Sequence, residues 1–494
     1  MSRIVKIILF VVCLAGLFLR FSILRTRDIH YDEAIFNFIA YKSTFWEIIT
    51  IDHPVKDHGI LYFLVLKLTH IFTQDIVVIR TINLLFYAFA YWAVVLLLSQ
   101  KGKYMPGLLA GILFSFSSFF IYLYTFLTPY NFVLTLFLCS LYFLERFQNE
   151  KDRKKRKLFQ ILFVGVTATA WYANYSFIYT AFFYLFYSFF FKKKVIRTLF
   201  MLYGQVVLLM TPGVFQVLSN LSYIRDSAQW LDNRYSGFST FIYEVGTHLL
   251  FQHSSVLSTI IFFYFIFKAF VFLQSEKSKE KFLFLTLLSS FCALFVSIYV
   301  INEYYVGIKL ERTFWLPYIS VVMLLSISLN AITTQSQKFS VVLVGAIVLV
   351  YIFGSYKTPQ FNISGRVTDE TRYLDFISSE LLGVKNKTIY IYDPNTAHNY
   401  PLWMYYFSWL YPKTGSHGSQ LHSFLRENRI FFHTQRTKDV TEKQLIDAAK
   451  QTNTVIILFE EVYITHLPNN TEALVYVLIF GEDGIGRFTE KKNL

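Results

Sequence analysis

Residues 3–33 read RIVKIILFVVCLAGLFLRFSILRTRDIHYDE. The apolar run from Ile7 to Leu19, extended on both sides, is long enough to cross the ~30 Å hydrocarbon layer as a helix. A cleaved signal peptide would place small residues after the run, but Arg25, Thr26 and Arg27 stand there instead. An uncleaved first span over 4–24 is therefore expected. Just past it lie two adjacent acids, Asp32 and Glu33. Ionised carboxylates beside lipid are costly, so a pair in this place points to a site that handles protons or charge at the bilayer edge.

The rest of the chain repeats the first motif. Of 494 residues, 55% are hydrophobic and only 16% charged, with 55 Phe and 35 Tyr, which is too little charge for a soluble surface of this size. The apolar runs are continuous and helix-length, not the short alternating segments of an outer-membrane barrel. The fold class expected is an α-helical polytopic membrane protein. Eleven spans are read: 4–24, 76–99, 104–122, 127–144, 158–174, 176–191, 198–217, 250–272, 282–301, 314–330 and 339–355. Several are short, so the pair 104–122 and 127–144 is expected to be tilted or only partly inserted. Cys13, Cys139 and Cys292 lie in apolar runs and define neither a disulfide framework nor a metal site.

Charge orients the chain. A net charge of +14 suits nucleic acid only if it is clustered in a patch; here Lys and Arg fall in short clusters between spans. With the N-terminus in the cytoplasm, nineteen basic residues lie in inside segments, including the run Arg153–Lys157, against nine in much longer outside connectors before residue 356. Nucleic acid is thus excluded as a partner, and the lipid bilayer is the expected one. The predicted location is a cell (inner) membrane, multi-pass, with a cytoplasmic N-terminus. Asp32 and Glu33 then face the exoplasmic side.

The loop 25–75 carries amphipathic patterns near 33–49 and 59–72, expected as helices on the membrane surface. After residue 355 the composition turns polar, with strand-like runs at 387–392, 429–433, 454–459 and 473–480 and helical patterns at 369–382 and 440–451. Two domains are expected: a transmembrane domain over 1–355 and an exoplasmic (periplasmic) α/β domain over 356–494.

The first outer loop concentrates the chemistry. An acid there takes the proton from an attacking hydroxyl or amine, and the low local dielectric strengthens it as a base. The competing reading is a solvated loop with Asp32 or Glu33 as a helix N-cap. Further on stand His53, Lys56, Asp57, His58 and Tyr62, candidates for substrate binding. His53, Asp57 and His58 have weak metal-ligand spacing, with Pro54 and Gly59 against a regular helix, so a divalent metal is a possible cofactor and none is required. Lys309 and Arg312, ahead of Phe314-Trp315-Leu316-Pro317, are placed to hold a phosphate at headgroup level. Arg80, near the start of the second span, is a weaker candidate for the same role. For all three the competing reading is an interfacial anchor that snorkels to the surface.

Four stretches resemble the GT-C superfamily of polytopic glycosyltransferases, above all the bacterial relatives of protein O-mannosyltransferases and of lipid A aminoarabinose transferases. Tyr31-Asp32-Glu33-Ala34 is similar to the acidic pair after that family's first span. His53-Pro54, then Gly59-Ile60-Leu61-Tyr62-Phe63-Leu64, is similar to its His-Pro-Pro-Leu-Tyr-Tyr-Leu pattern, with four residues inserted. Asp75 to Asn83, with Ile79-Arg80, resembles the start of its second span. Glu311-Arg312-Thr313-Phe314-Trp315-Leu316-Pro317 resembles its Arg-Tyr-Leu-Leu-Pro stretch. The family's Glu-Ala-Arg between spans three and four is replaced by uncharged residues over Phe126–Asn131, and this departure bears on the substrate more than on the reaction.

The resemblance implies a sugar donor on polyprenyl phosphate, Asp32 as general base with Glu33 as partner, and Arg312, with Lys309, on the departing phosphate. It implies transfer with inversion to a protein, lipid or polysaccharide acceptor. A lipid-linked-sugar transporter or flippase is the alternative. It needs a polar path through the spans, of which the sequence shows little. A non-catalytic scaffold leaves the clustered outer-loop acids, imidazoles and cations without a role.

Overall fold

The computed structural model describes residues 3–26, 31–50, 59–73, 75–99, 104–190, 193–219, 279–304, 315–335, 387–392, 429–433, 454–458, 474–480 and 486–490, with scattered single residues at 263–274, 345–349 and 447–451. The chain divides into two compact units. One holds Met1–Arg25, Ser43–Val65 and Arg80–Ile363; the other holds Thr26–Lys42, Leu66–Ile79 and Ser364–Leu494.

The first unit is a helical bundle. Its described helices are α1 (Arg3–Thr26), α3 (Phe45–Thr50), α6 (Ile82–Leu98), α7 (Met105–Phe116), α8 (Ser118–Thr125), α9 (Pro129–Asn149), α10 (Arg153–Ala173), a 3-10 turn (Tyr175–Tyr179), α11 (Thr180–Phe190), α12 (Lys193–Ser219), α13 (Lys279–Tyr304) and α14 (Trp315–Gln335). Short α2 (Tyr31–Lys42), α4 (Ile60–Phe72) and α5 (Ile76–Arg80) fall between α1 and α6, with α4 and α5 passing from one unit to the other.

Among the described residues, three helical runs have the length and composition to cross a membrane: Arg3–Arg25, Ile76–Leu98 and Ile196–Ser219. A fourth is possible if the bent pair α7–α8 counts as one span. The runs expected at 250–272 and 339–355 lie largely outside the described residues. Helix α9 packs between α6 and α10, α7 against α6 and α14, and α13 against α11 and α14. Aromatic residues fill these seams, as with Phe119 stacked on Tyr318 at 3.7 Å and Phe86 on Phe132 at 4.6 Å. Outward faces of α1 (Ile4, Phe10, Phe18) and α12 (Phe200, Met201, Leu208, Phe215) stay exposed and apolar, as hydrocarbon would require.

The helix boundaries follow local chemistry. Thr44 and Glu47 form a reciprocal capping box at the start of α3, with Glu47 N–H donating to Thr44 Oγ1 (3.1 Å) and Thr44 N–H to Glu47 Oε2 (2.6 Å). Pro129 stands at the first turn of α9, where its missing N–H costs nothing. Asp152 caps α10 by accepting from Lys154 and Lys155 N–H. The basic run that follows opposes the helix dipole, so it is present for a reason other than helix stability.

The run expected at 104–122 is broken at Ser117, where α7 and α8 meet at 61°, while that at 127–144 is the unbroken α9. A break inside lipid strands main-chain carbonyls with no water to satisfy them. Side chains from neighbouring helices take those carbonyls. Arg20 of α1, 0% exposed, donates to Ser115 O (2.9 Å) and Phe114 O (3.3 Å) at the end of α7, and to Gly16 O (3.0 Å) in its own helix. A cation at a helix C-terminus also complements the dipole. The Arg20 guanidinium lies 3.8 Å from the Tyr87 ring centre, and the Tyr87 hydroxyl pairs with Ser115 Oγ at 2.7 Å. Gly16 is required here: a Cβ would collide with the Tyr87 hydroxyl.

In the second unit, five strands form a sheet in the order β2 (Arg429–His433), β1 (Thr388–Tyr392), β3 (Thr454–Leu458), β4 (Leu474–Phe480), β5 (Gly486–Glu490). The first four are mutually parallel, and β5 runs antiparallel to β4 in the register Leu478↔Phe488. Consecutive Val455, Ile456 and Ile457 of central β3 are all buried, so both sheet faces are covered. Strand β5 was not expected from the sequence: its Gly-Arg-Phe-Thr-Glu run is too polar to stand out.

Candidate functional site

The acidic pair lies inside helix α2, in its first turn. The helix begins at Tyr31, so neither acid is an N-cap, and the solvated-loop reading fails for Glu33, which is fully buried. Negative charge in a first helical turn is favoured by the dipole. Glu33, Phe36, Asn37 and Ala40 form the buried stripe of α2 at helical spacing. Asn37 Nδ2 donates to the Glu33 carbonyl at 2.7 Å, while its own Oδ1, also buried, has no partner among the described residues.

Helix α4 closes against the end of α2. Lys67 Nζ donates to Tyr41 O at 2.9 Å, a cation on a helix C-terminus, and the His70 ring meets the Tyr41 ring edge-on at 5.7 Å. Among the described residues neither His70 nitrogen has a well-formed hydrogen bond. Burial first, and the Lys67 charge second, push the His70 imidazole down to about 4, with the Thr73 backbone offsetting only part of this. His70 is therefore neutral at physiological pH.

In the bundle, polar side chains gather where α1, α5 and α8 end and α6 and α9 begin. Arg80 is 1% exposed and donates to Leu24 O near the end of α1 at 3.3 Å. It does not snorkel, contrary to the interfacial-anchor reading. One turn on, Asn83 Nδ2 donates to Phe126 O at 3.0 Å, and Asn131 Nδ2 of α9 reaches the same carbonyl at 3.1 Å and Leu123 O at 3.1 Å. The α8–α9 link, Phe126-Leu127-Thr128, is buried throughout.

At the end of α10, Gly59 lies so close to the Tyr172 carbonyl that no Cβ would fit, which seats the start of α4 on α10. Tyr62, one turn into α4, is fully buried. Trp315, at the head of α14, is fully buried as well, with Nε1 donating to Ser176 Oγ at 3.2 Å and its ring edge-on to Phe137 at 5.8 Å. It is a packing anchor, not part of an interfacial girdle.

The structure thus describes Glu33, Tyr62 and Arg80 with their side chains, and Asp32 by its backbone alone. His53, Lys56, Asp57, His58, Lys309 and Arg312 lie outside the described residues, as does the 369–382 helix. Among the described residues no group of three His, Cys, Asp or Glu side chains is placed to hold a metal ion. Sequence reading missed Arg20, Asn83 and Asn131. The signal available was a polar side chain within an apolar run, one turn from a small or polar neighbour: Gly16 for Arg20, Arg80 for Asn83, Thr128 for Asn131.

Comparison with known proteins bears on this arrangement. The family described as dolichyl-phosphate-mannose-protein mannosyltransferase matches residues 53–215. The structure of ArnT from Cupriavidus metallidurans bound to undecaprenyl phosphate superposes with a TM-score of 0.59 at 11% identity, over 97% of this chain and 94% of that one. The chain shares the fold of that ArnT over nearly its whole length. The apo form of the same ArnT matches with a TM-score of 0.56 at 11% identity, over 95% and 92% of the two chains. No curated protein matches by sequence.

The matched stretch 53–215 contains Arg80, Asn83, Asn131 and Gly59 and leaves out Asp32, Glu33 and Arg312.

Proposed function

We propose that this chain is a GT-C glycosyltransferase that transfers a sugar from a polyprenyl-phosphate carrier to an acceptor at the exoplasmic membrane surface, with inversion at the anomeric carbon. The observation that carries this is the ArnT fold over nearly the whole chain, since that ArnT structure holds undecaprenyl phosphate. Asp32 acts as general base on the acceptor, and Glu33, buried one residue on, is its partner. A single displacement on the face opposite the phosphate inverts the sugar. The departing phosphate gains negative charge, and Arg312, Lys309 and Arg80 supply the cations that stabilise it. The orientation follows from the basic residues of the inside loops, and it sets the 356–494 region on the acceptor side.

The test is transfer from labelled polyprenyl-phosphate sugars in membranes, wild type against Asp32→Asn. Label leaving the lipid only with wild type is expected. Equal transfer by both moves the base to Glu33, and transfer by neither removes the donor class.

A further inference from the structure

The starts of α10 and α12 carry more positive charge than the fold accounts for. Arg153, Lys154, Lys155, Arg156 and Lys157 are the first five residues of α10, and all are exposed. At about 3.6 residues per turn they surround the helix with cations. Helix α12 packs beside α10 and runs in the same direction: Gln160 meets Gln205 at 3.4 Å, and further along Tyr172 donates to Leu209 O at 2.8 Å. The start of α12, with Lys193, Lys194 and the exposed Arg197, therefore stands at the same end of the pair. Each helix start adds the positive end of a dipole. The carboxylates next to the run in sequence bond main-chain groups instead. Asp152 accepts from Lys154 and Lys155 N–H, and Glu150 from Lys151 and Asp152 N–H. Arg156 lies over the Phe147 ring at 4.9 Å, and among the described residues none of the five cations forms an ion pair. Orienting the chain calls for basic residues in a loop, not in the first turns of a helix, where they oppose the dipole.

We infer that this end of the α10–α12 pair binds the phosphate headgroups of anionic phospholipids of the phosphatidylglycerol class. This rests on the membrane reading of the chain and not on the transfer reaction. Charge selects an anion, and the neighbouring surface selects a lipid. Directly after the basic run, Leu158 and Ile161 of α10 are 53% and 59% exposed, and Phe200 and Met201 of α12, one turn beyond Arg197, are exposed as well. An exposed apolar belt of this kind is covered by hydrocarbon. The cations next to it then lie at the level of the headgroup phosphates. A soluble polyanion would meet the charge but leave the apolar belt uncovered. Lipid phosphates also relieve the repulsion among cations at two adjoining helix starts, and the Arg153 guanidinium suits a phosphate in a two-pronged grip. The patch is open at the surface, so a headgroup reaches it without entering a cavity.

The experiment measures which lipid the full chain retains when purified in detergent supplied with equal amounts of phosphatidylglycerol and phosphatidylcholine. Wild type is compared with a triple variant, Lys154→Gln with Lys155→Gln and Lys157→Gln. The control, Lys277→Gln with Lys279→Gln and Lys281→Gln, removes the same charge around the start of α13. Wild type and control are expected to favour phosphatidylglycerol by about tenfold or more, and the α10 variant to lose most of that preference, as wild type does at high salt. Equal loss in the two variants overturns the inference, because net charge and not this patch then sets the preference. An unchanged preference in the α10 variant overturns it too, as does the lack of any preference in wild type. Wild type that retains neither lipid removes the membrane reading itself. A short DNA duplex that displaces phosphatidylglycerol from wild type, and that the α10 variant no longer binds, would assign the patch to a soluble polyanion instead. Where the triple variant does not fold, the single change Lys155→Gln is read in the same way, with a loss of roughly fivefold.

Discussion

The bundle and the α2–α4 region treat buried polar groups in opposite ways. In the bundle the long polar side chains end on main-chain carbonyls: Arg20 on Phe114 and Ser115, Arg80 on Leu24, Asn83 and Asn131 on Phe126. Each of these carbonyls is at or near a helix end, where the backbone has run out of partners. In the α2–α4 region Lys67 does the same for Tyr41, but a buried titratable group, His70, has no well-formed hydrogen bond on either nitrogen among the described residues. The bundle spends its buried cations on closing the backbone, whereas the α2–α4 region buries a carboxyl-bearing Glu33 and an imidazole, His70, and titratable groups held this way are where chemistry is expected.

Four measurements break or sharpen this contrast. The largest effect is expected from Asp32→Asn, which should lower sugar transfer by ~100-fold or more while leaving expression and melting unchanged. Wild-type rates would move the base to Glu33, one residue on in the same helix.

Next, Arg20→Leu leaves the Phe114 and Ser115 carbonyls buried and unmet, and should destabilise the protein by about 2–4 kcal/mol, read as a lower melting temperature in detergent. Arg20→Lys should recover little, since an ammonium does not present the guanidinium fork that spans two carbonyls. Full recovery would place Arg20 among dispensable charges.

A third, intermediate effect is expected from Gly16→Ala, which drives a methyl into the Tyr87 hydroxyl. A cost of roughly 1–3 kcal/mol in thermal stability follows if α1 cannot shift, and adding Tyr87→Phe should restore part of it. Failure of Tyr87→Phe to help would mean that the contact is slack.

The smallest effect is that of His70. Its folded-state value, about 4, lies below the ordinary 6.5, so the unfolded chain takes up the proton first as pH falls. The stability from neutral His70 is complete above pH 6.5 and is lost as pH drops towards 4, with an upper bound of about 3 kcal/mol. Melting temperature followed over that window should fall less in His70→Leu than in wild type. Parallel curves would mean that His70 is solvated.

Much of the fold was legible because lipid is a severe solvent. Apolar length marked α1 and the α5–α6 run, and the amphipathic stretches near 33–49 and 59–72 appear as α2 with α3 and as α4. Alternation and β-branched runs placed β1 to β4 within a residue of their observed ends. The bend at Ser117 was not legible, since no Pro or Gly marks it and its stability comes from Arg20, which is 97 positions away in sequence. Trp315 stands among apolar residues in the sequence, and only its contacts with Ser176 and Phe137 reveal it as a buried anchor.

The sequence by itself determined that this is a polytopic helical membrane protein, where its charge falls, and that an acidic pair follows the first span. These are properties of local composition against a solvent of fixed thickness. Tertiary structure alone decided what the polar residues within the apolar runs do. Whether an arginine snorkels or an asparagine caps depends on which carbonyl another helix brings within about 3 Å, and that is a property of packing rather than of any one stretch of chain.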